Sequence, residues 1–359
     1  MSTTASAAER RAWVEIDLGA VVANASAVAR ATGARLLPVV KANAYGLGAV
    51  PIARALEAVD PWGYAVATAA EGAELRGAGI TRPIVVLTPA APVDFPDITA
   101  HGLRPVFDDA AAARAWGGAG PFHVEIDTGM GRSGFRWDAV ADARAVLDTP
   151  RLEGAFTQLH SADRRDPSAD QQLERFQQVL AALPRRPALC HVANSAAALR
   201  DRRYAFDVVR PGIYLYGGAP GDGMEAGAPV VSLRARVVSV RRVRAGDTVS
   251  YGARWTAPRA TTVATLAVGY ADGARRALGL TGGAYALLRG RRCPVAGVVT
   301  MDFTMVDAGD ALVAVGDVGT LLGTADGETI TLDQFAGWSG ELSHAVLTSL
   351  GARPPRVYK

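Results

Sequence analysis

Lysine is almost missing from this sequence of 359 residues, although positive charge is not. Among its 38 basic residues only Lys41 and Lys359 are lysines, and the rest are arginines. An ammonium group can lose its proton and the free amine can attack a carbonyl carbon, whereas a guanidinium stays charged in proteins. A lysine retained in such a chain therefore indicates chemistry that arginine cannot perform, and a Schiff base at Lys41 is the first hypothesis.

Other scarcities exclude whole classes of protein. The two cysteines, Cys190 and Cys293, do not make a disulfide scaffold and fit a reducing compartment. No apolar run approaches the ~18 residues of a membrane span, and residues 1–18 lack the apolar core of a secretion signal. The arginines are dispersed and the net charge is only +3, unlike a nucleic-acid groove. We expect a cytoplasmic protein with no membrane, nucleic-acid or metal partner.

Short apolar runs alternate with alanine-rich amphipathic stretches between residues 13 and 215. Candidate strands lie near 36–40, 62–66, 83–87, 103–106, 121–126, 154–159, 188–192 and 206–209, with helices such as 139–147 and 171–183 between them. Eight strands separated by helices over roughly 200 residues predict an α/β fold of the (β/α)8 TIM-like barrel type. A doubly wound open sheet is the alternative.

The pattern changes after about residue 219. Residues 220–229 are rich in Gly, Ala and Pro and are typical of a linker. Beyond them come β-type runs with Gly and Asp turns at 230–243, 261–268, 285–288, 294–299, 303–306 and 329–332, then a last helix near 341–351. We predict a barrel domain over 1–225 and a mainly β C-terminal domain over 226–359, and leave open whether a first strand near 13–18 packs with the latter.

Lys41 follows an apolar predicted strand and precedes the sequence Ala-Asn-Ala-Tyr-Gly. In a (β/α)8 barrel the catalytic groups project from the carboxyl ends of the strands. Partial burial there lowers the pKa of an amine and makes it nucleophilic. The alternative is a lysine that merely caps the end of a strand.

Seven short blocks, which occur in the same order along the chain, resemble those of the bacterial alanine racemases. The first is Val40-Lys41-Ala42-Asn43-Ala44-Tyr45-Gly46 and the last is Met301-Asp302. Between them lie 127–132 (DTGMGR), 191–196 (HVANSA), 209–213 (VRPGI), 250–252 (SYG) and 269–273 (GYADG). The resemblance implies a racemase of fold type III that depends on pyridoxal phosphate and supplies D-alanine for peptidoglycan.

The resemblance also implies how the cofactor is held. Lys41 would form the Schiff base, and Arg210 would face the pyridine nitrogen and, because it only donates, keep that nitrogen unprotonated. The phosphate would lie near a helix start, whose N–H groups favour an anion; a plain turn at 210–213 is the alternative. The other implied cofactor-binding residues are Tyr45, Leu87, Gln158, His191, Asn194, Ser195, Gly212, Ile213 and His344.

Racemisation requires a base on each face of the planar carbanion. By the resemblance, Lys41 takes the proton from the D-isomer, and Tyr251, donated by the second subunit of a homodimer, serves the other face. Phenols are weak bases at neutral pH because their ordinary pKa lies at ~10. A neighbouring cation or a hydrogen-bond relay is therefore required, and the resemblance implies a relay through His191 and Arg210. The implied substrate-binding residues are Arg132, Met301 and Tyr270.

Some positions depart from the family pattern. Glu125 stands where many members have a lysine that becomes carbamylated, and it would supply directly the anion that braces Arg132. Gln158 replaces a histidine that lies against the cofactor ring. On a strand His160 would lie on the same face as Gln158, and it would contact the cofactor region, a loop or a carboxylate. The remaining replacements are His344 for a phosphate-binding tyrosine, Thr300 for a cysteine and Leu47 for a histidine.

Three alternatives stay open after the resemblance. The changes at Gln158 and Thr300 would suit a racemase of another small or basic amino acid. A non-enzymatic pyridoxal phosphate homeostasis protein shares the barrel and the lysine, but it lacks a C-terminal β domain. A decarboxylase of the same fold is disfavoured because Arg210 would weaken the electron sink that it requires.

Overall fold

The computed structural model describes residues 10–140 and 144–359, and within them the chain forms two compact units. One unit is Val21–Ala228. The other joins the described residues up to Ala20, which include strand β1 (Ala12–Ile16), with Pro229–Lys359. Across the described ranges, no helix is long and apolar enough to cross a membrane.

A closed ring of parallel strands forms the centre of the first unit. Its strands are β2 (Arg35–Leu36), β3 (Tyr64–Val66), β4 (Ile84–Pro89), β5 (Arg104–Phe107), β6 (Phe122–Asp127) with the short β7 (Phe135–Arg136) beside it, β8 (Leu152–Phe156), β9 (Leu189–His191) and β10 (Val208–Val209). The sheet runs from β3 to β9, β10 pairs with β2, and single bridges at Val39–Ala65 and Asn194–Arg210 close the ring. The predicted (β/α)8 barrel is confirmed, and the doubly wound sheet is wrong.

Helices separate the barrel strands. They are α1 (Leu18–Thr32), α2 (Lys41–Tyr45), α3 (Ala49–Leu56), α4 (Ala69–Gly77), α5 (Phe95–Ala100), α6 (Ala110–Trp116), α7 (Arg144–Leu147), α8 (Ser168–Ala182) and α9 (Ser195–Arg200). Capping fixes several starts: the Asp109 side chain, for example, accepts two N–H groups of α6. Of the helix predicted at 139–147, residues 141–143 lie outside the described residues.

Two barrel strands are shorter than predicted. The first strand is regular only as far as Leu36. Beyond it the N–H groups of Leu37 and Val39 still donate to the carbonyl oxygens of Val209 and Pro211 at 2.8 and 2.9 Å, and Val39 forms a single bridge before Lys41. The strand predicted over 154–159 ends at Phe156. The carbonyl groups of Thr157 and Gln158 instead accept hydrogen bonds from side chains. Gln158 and His160 therefore do not share a strand face, contrary to prediction.

The predicted linker at 220–229 packs on the barrel unit instead of hanging free. A Cβ at Gly221 would lie 2.6 Å from the carbonyl oxygen of Asp163, and one at Gly227 would lie 2.4 Å from that of Tyr214. The Asn24 side chain also exchanges two hydrogen bonds with the backbone of Ala228. These glycines allow the segment to pack closely against the barrel backbone. The composition of the segment alone does not distinguish close packing from flexibility.

The second unit is mainly β, as predicted. Its further strands are β11 (Val231–Val243), β12 (Thr248–Val249), β13 (Trp255–Thr256), β14 (Thr261–Leu266), β15 (Tyr285–Leu288), β16 (Arg291–Pro294), β17 (Thr304–Gly309), β18 (Val318–Ala325), β19 (Glu328–Ile330) and β20 (Arg356–Tyr358), with helices α10 (Leu332–Ser339) and α11 (Ser343–Thr348). The long β11 is central and pairs with β1, β14 and β18. Lys359 next to β20 forms an ion pair with Glu15 of β1 at 2.7 Å.

Several predictions for this unit are wrong in detail. Of the run 294–299, only Pro294 belongs to a regular strand, β16, and Val295 continues as a single bridge to Val306 of β17. The single helix predicted at 341–351 is α11 alone, preceded by the unpredicted α10. Strand β18 is not among the predicted strands, because its two glycines, Gly319 and Gly323, are typical of a turn. In the structure they allow neighbouring side chains to pack closely: a Cβ at Gly319 would lie 2.6 Å from a Leu266 methyl carbon.

Candidate active site

Lys41 begins a turn with an uncommon backbone conformation. Ala42, Asn43, Ala44 and Tyr45 have φ values of 53°, 54°, 51° and 56°, so the turn is left-handed. For L-residues this conformation costs about 1–2 kcal/mol each. Hydrogen bonds hold it: Gly46 donates to the Ala42 carbonyl oxygen at 2.8 Å, and the Asn43 side chain accepts the Ala49 N–H at 2.8 Å. The chain thus stores strain directly beside the lysine.

Glu71 is a site residue that the sequence did not reveal. Its two carboxylate oxygens accept the backbone N–H groups of Ala42 at 2.8 Å and Ala67 at 2.7 Å. It therefore ties the turn after Lys41 to the loop after β3. An acidic residue in the first turn of α4 fits any ordinary helix start, so nothing in the pattern distinguished it.

The Lys41 amine lies in a positive environment. Its pKa is held below the ordinary 10.5, first by desolvation and then by the charges of Arg132 and Arg210, while Glu71 opposes the shift. The residue keeps contact with solvent even though many protein atoms surround it. An amine of this kind more readily loses its proton and attacks a carbonyl group.

Tyr45, Ser195 and Gly212 come together at one place in the barrel unit. The Gly212 N–H donates to the Ser195 hydroxyl at 2.8 Å, and a Cβ on Gly212 would lie 2.5 Å from the Tyr45 hydroxyl oxygen. Burial raises the pKa of Tyr45 to about 12, so the hydroxyl stays a donor. The side chain of Asn194 caps α9 by accepting the Ala197 N–H at 3.0 Å. Ile213, which follows Gly212, is buried.

Arg210 is buried and surrounded by neutral acceptors. Among the described residues it donates to the carbonyl oxygens of Thr157 (2.9 Å), His191 (2.6 Å) and Val192 (3.2 Å), and to Oε1 of Gln158 (3.2 Å). Burial lowers its pKa to about 10, which leaves it charged at neutral pH. Gln158 therefore orients Arg210, a contact that its place in the sequence did not predict.

His191 joins Arg210 through its ring. Arg210 Nη1 lies 2.9 Å from His191 Nδ1, and the imidazole stacks on Phe156 with ring centroids 4.8 Å apart. Burial and the Arg210 charge hold the pKa of His191 well below 6.5. The neutral ring therefore accepts at Nδ1 and donates at Nε2.

Arg132 is braced by a carboxylate, as the departure at position 125 predicts. Its Nη2 lies 3.1 Å from Oε1 of buried Glu125, whose Oε2 accepts the Ser133 hydroxyl at 2.6 Å. The guanidinium itself is exposed. Ser133 is a second supporting residue that the sequence did not reveal, since a serine in a loop carries no distinguishing signal.

In the C-terminal unit, Tyr251 projects from a tightly held turn. Ser250 has a φ of 68° and donates its hydroxyl to the Val298 carbonyl oxygen at 2.6 Å. Gly297 lies so close that a Cβ on it would stand 2.9 Å from that of Ser250. Tyr251 is 73% exposed.

Tyr270 and Met301 lie side by side in the same unit. The Tyr270 N–H donates to the Thr300 carbonyl oxygen at 3.0 Å, and the next N–H donates to Met301 at 3.2 Å. Arg353 binds Asp272 with two hydrogen bonds and Asp302 with one, and so fixes both turns. Tyr270 and Met301 are themselves exposed.

The other predicted positions are less involved. The exposed His160 bonds to the hydroxyl of the adjacent Ser161 at 2.7 Å. Leu87 is half-buried on β4, and Leu47 is fully buried. His344 lies exposed on α11, and the Thr300 hydroxyl bonds within its own turn at 3.2 Å.

A lysine just beyond the first barrel strand, a charged arginine in the core and two hydroxyl groups beside a glycine N–H are typical of the catalytic end of a (β/α)8-barrel enzyme. Two family models match the chain: alanine racemase, N-terminal domain, over residues 16–220, and alanine racemase, C-terminal domain, over 230–358. The chain belongs to the alanine racemase family, which consists of amino-acid isomerases.

Individual relatives agree with this assignment. An alanine racemase of Symbiobacterium thermophilum is 41% identical and one of Deinococcus deserti 39%, over 97% of this chain and 97% and 99% of theirs. The crystal structure of alanine racemase from E. faecalis has a TM-score of 0.90 at 32% identity, covering 98% of each chain. That from Bartonella henselae, with covalently bound pyridoxal phosphate, has a TM-score of 0.88 at 30% identity, covering 98% of this chain and 100% of that one.

Proposed function

We propose that this protein interconverts L-alanine and D-alanine with pyridoxal phosphate, supplies D-alanine for peptidoglycan, and uses Lys41 and Tyr251 as its two bases. The observation that carries the proposal is the Lys41 amine, set at a strand end with a lowered pKa beside two arginines. Family membership over nearly the whole chain supports the same reaction.

The residues of the barrel unit fit the cofactor. Gly212 lets the Tyr45 hydroxyl approach its backbone, since a Cβ would lie 2.5 Å from that oxygen, and the Ser195 hydroxyl lies beside them. Hydroxyl and backbone N–H donors are suited to a phosphate, and Lys41 is suited to an aldehyde. When bound, pyridoxal phosphate supplies that aldehyde and a conjugated ring that stabilises negative charge on the α-carbon of an amino acid.

The protein's own groups then move and hold protons. Lys41 Nζ takes the α-proton of the D-isomer, and the Tyr251 phenol oxygen takes that of the L-isomer from the opposite face. Arg210, held by neutral acceptors, remains a donor at neutral pH and would keep the ring nitrogen of the bound cofactor unprotonated. An unprotonated ring would withdraw less charge from the α-carbon, which would favour reprotonation there over side reactions.

Arg132 orients the carboxylate of the substrate. Its guanidinium is exposed at one edge and braced at the other by buried Glu125, so it offers free N–H donors in a fixed direction. Glu125 carries its own negative charge and requires no carbon dioxide. Met301 and Tyr270 line the approach to the substrate.

We also propose a cytoplasmic homodimer whose active sites each take Tyr251 from the second subunit. Tyr251, Met301 and Tyr270 are 73%, 52% and 42% exposed, an unusual set for residues with a chemical role unless another molecule covers them. The two buried free thiols fit a reducing compartment.

The test is a racemisation screen of the purified protein against L-amino acids, read by chiral separation. We expect alanine to be the preferred substrate and Lys41→Ala to abolish both turnover and the absorbance of a Schiff base. If a basic amino acid is racemised faster than alanine, then the substrate that we propose is wrong and the basic amino acid takes its place. A Schiff base without any racemisation would favour the non-enzymatic alternative.

A further inference from the structure

A buried hydrogen-bonded chain continues from Arg210 beyond His191. His191 Nε2 lies 2.9 Å from Nδ1 of His123, and His123 Nε2 lies 3.3 Å from Oε2 of Glu153. Arg104 Nε bonds the same carboxylate oxygen at 3.2 Å. Both imidazoles are fully buried.

The chain runs along the barrel from one end to the other. His191 is the last residue of β9 and pairs in register with Phe156, the last residue of β8. His123 pairs with Gly154, two positions earlier on β8, and Glu153 precedes Gly154. Glu153 therefore lies toward the amino ends of the strands, away from the end where Lys41 projects.

Only one direction of donation satisfies every member of the chain. Arg210 can only donate, so His191 Nδ1 accepts and Nε2 carries the ring proton. That proton is donated to Nδ1 of His123, whose own proton then lies on Nε2 and is donated to the Glu153 carboxylate. Desolvation lowers the pKa of both histidines and keeps them neutral.

The surrounding fold makes room for this arrangement. A Cβ on Gly154 would lie 2.5 Å from His123 Nδ1 and 2.6 Å from Cε1, so a side chain there would displace the ring. Trp62 packs against the His123 ring at a tilt of 43°, with ring centroids 5.8 Å apart. His123 does not contact Arg210 itself, but the space at Gly154 fixes the position of its ring and the Glu153 carboxylate accepts its proton. Both features favour a single tautomer of His123.

We propose that Glu153 is a positioning residue: through His123 and His191 it fixes the tautomers of both rings and thereby the orientation of Arg210 at the cofactor site. This rests on the proposed function, because Arg210 must face the cofactor. Without Glu153 the donor at His123 Nε2 has no anionic acceptor, the rings can exchange tautomers, and His191 can present a proton to the Arg210 donor. Arg210 must then move.

The experiment uses the full-length protein labelled with ¹⁵N-histidine, with and without pyridoxal phosphate. Glu153→Leu removes the acceptor, and Glu153→Gln retains an oxygen that can accept. Glu57→Leu is the control, since Glu57 also pairs with an arginine but takes no part in the hydrogen bonds that link Glu153 to Arg210. Imidazole ¹⁵N shifts report the tautomers, and the absorbance of bound cofactor and its dissociation constant report Arg210.

We expect His123 and His191 each to show a single neutral tautomer with the proton on Nε2. In Glu153→Leu the shifts of both rings should move toward a mixture, with about tenfold weaker cofactor binding, as when outer partners of ligand-holding histidines are removed. Glu153→Gln should restore both properties, and Glu57→Leu should change neither. Unchanged His191 shifts in Glu153→Leu would overturn the proposal.

Two further outcomes keep the result decisive. If Glu153→Leu does not fold, Gly154→Ala displaces the His123 ring with Glu153 intact and should give the same signature; normal shifts and cofactor affinity there would contradict the proposal. The tautomers measured without cofactor do not depend on racemisation. Absent turnover with the expected shifts would therefore count against the proposed function alone.

Discussion

Glu125 and Arg132 form an ion pair inside the barrel unit, with Oε1 of the carboxylate 3.1 Å from Nη2 of the guanidinium. The carboxylate is buried and also accepts the Ser133 hydroxyl at 2.6 Å, so its position is fixed. A residue that is already an anion needs no reaction with carbon dioxide to support the arginine.

We therefore predict that activity is unchanged when carbon dioxide is removed from the buffer. Glu125→Gln should raise the KM for alanine about tenfold, because Arg132 loses a charged partner. Glu125→Lys is the informative companion: its activity should fall and then recover as bicarbonate is added, through carbamylation. A wild-type enzyme that loses activity on degassing would contradict this role of Glu125.

The left-handed turn after Lys41 makes a second prediction. Ala42 is exposed with a φ of 53°, where glycine avoids a penalty of about 1–2 kcal/mol. Ala42→Gly should therefore raise the free energy of unfolding or leave it unchanged, as measured in denaturant. It should also lower kcat, since a looser turn positions Lys41 less well.

The matched control is Ala115→Gly, at an exposed position of the right-handed helix α6. There the usual loss of about 0.5–1 kcal/mol is expected, with no change in kcat. Equal destabilisation by the two substitutions would show that the turn does not hold strain in solution.

Buried histidines make the stability depend on pH. The pKa values of His123 and His191 are lowered from 6.5 in the folded protein, so below pH 6.5 the unfolded chain binds protons that the folded chain does not. Stability then rises with pH and falls on acidification, by up to about 1.4 kcal/mol per pH unit for each histidine.

This slope can be assigned by denaturant unfolding between about pH 6.5 and about pH 5. We expect His191→Gln to reduce the slope, although it also lowers the stability itself. A slope that is the same in His191→Gln as in the wild-type protein would refute the assignment to buried imidazoles.

The turn that carries Tyr251, in the C-terminal unit, provides a further test. A Cβ on Gly297 would lie 2.6 Å from the Val249 carbonyl oxygen and 2.9 Å from Ser250 Cβ. Gly297→Ala should displace the turn that carries Tyr251 and lower kcat at least tenfold, a cost of about 1.4 kcal/mol in the transition state. The measurement is steady-state racemisation in both directions.

Gly282→Ala is the control for backbone strain. Gly282 has a φ of +73° against +82° at Gly297, but nothing lies within 4 Å of its added Cβ. Both variants should lose similar backbone freedom, and only Gly297→Ala should lose activity. Full activity in Gly297→Ala would show that the position of this turn does not matter for catalysis.

The sequence predicted the barrel because its strands are short, apolar and separated by helices. It could not predict where pairing stops, since that depends on distant partners: Arg210 takes the Thr157 carbonyl oxygen and so ends β8 early. The glycines of 220–229 and of β18 predict a linker and a turn, whereas in the structure they allow close packing. The sequence does not distinguish the two roles, because the packing partners are distant along the chain.

Motif residues such as Lys41 and Arg210 were found because their blocks resemble a family. Glu71, Ser133 and Glu153 were not, since each acts by holding another residue. An acid in a helix start or a strand is ordinary in sequence, and its role exists only in the three-dimensional contact.

The central claim is that Lys41 and Tyr251 serve opposite faces of the substrate. The most direct measurement is the exchange of the α-hydrogen with deuterated solvent, starting from each enantiomer, in Tyr251→Phe. The account predicts that exchange from D-alanine, which Lys41 performs, is largely retained, while exchange from L-alanine falls by at least about a hundredfold. An equal loss of exchange from both enantiomers would contradict it.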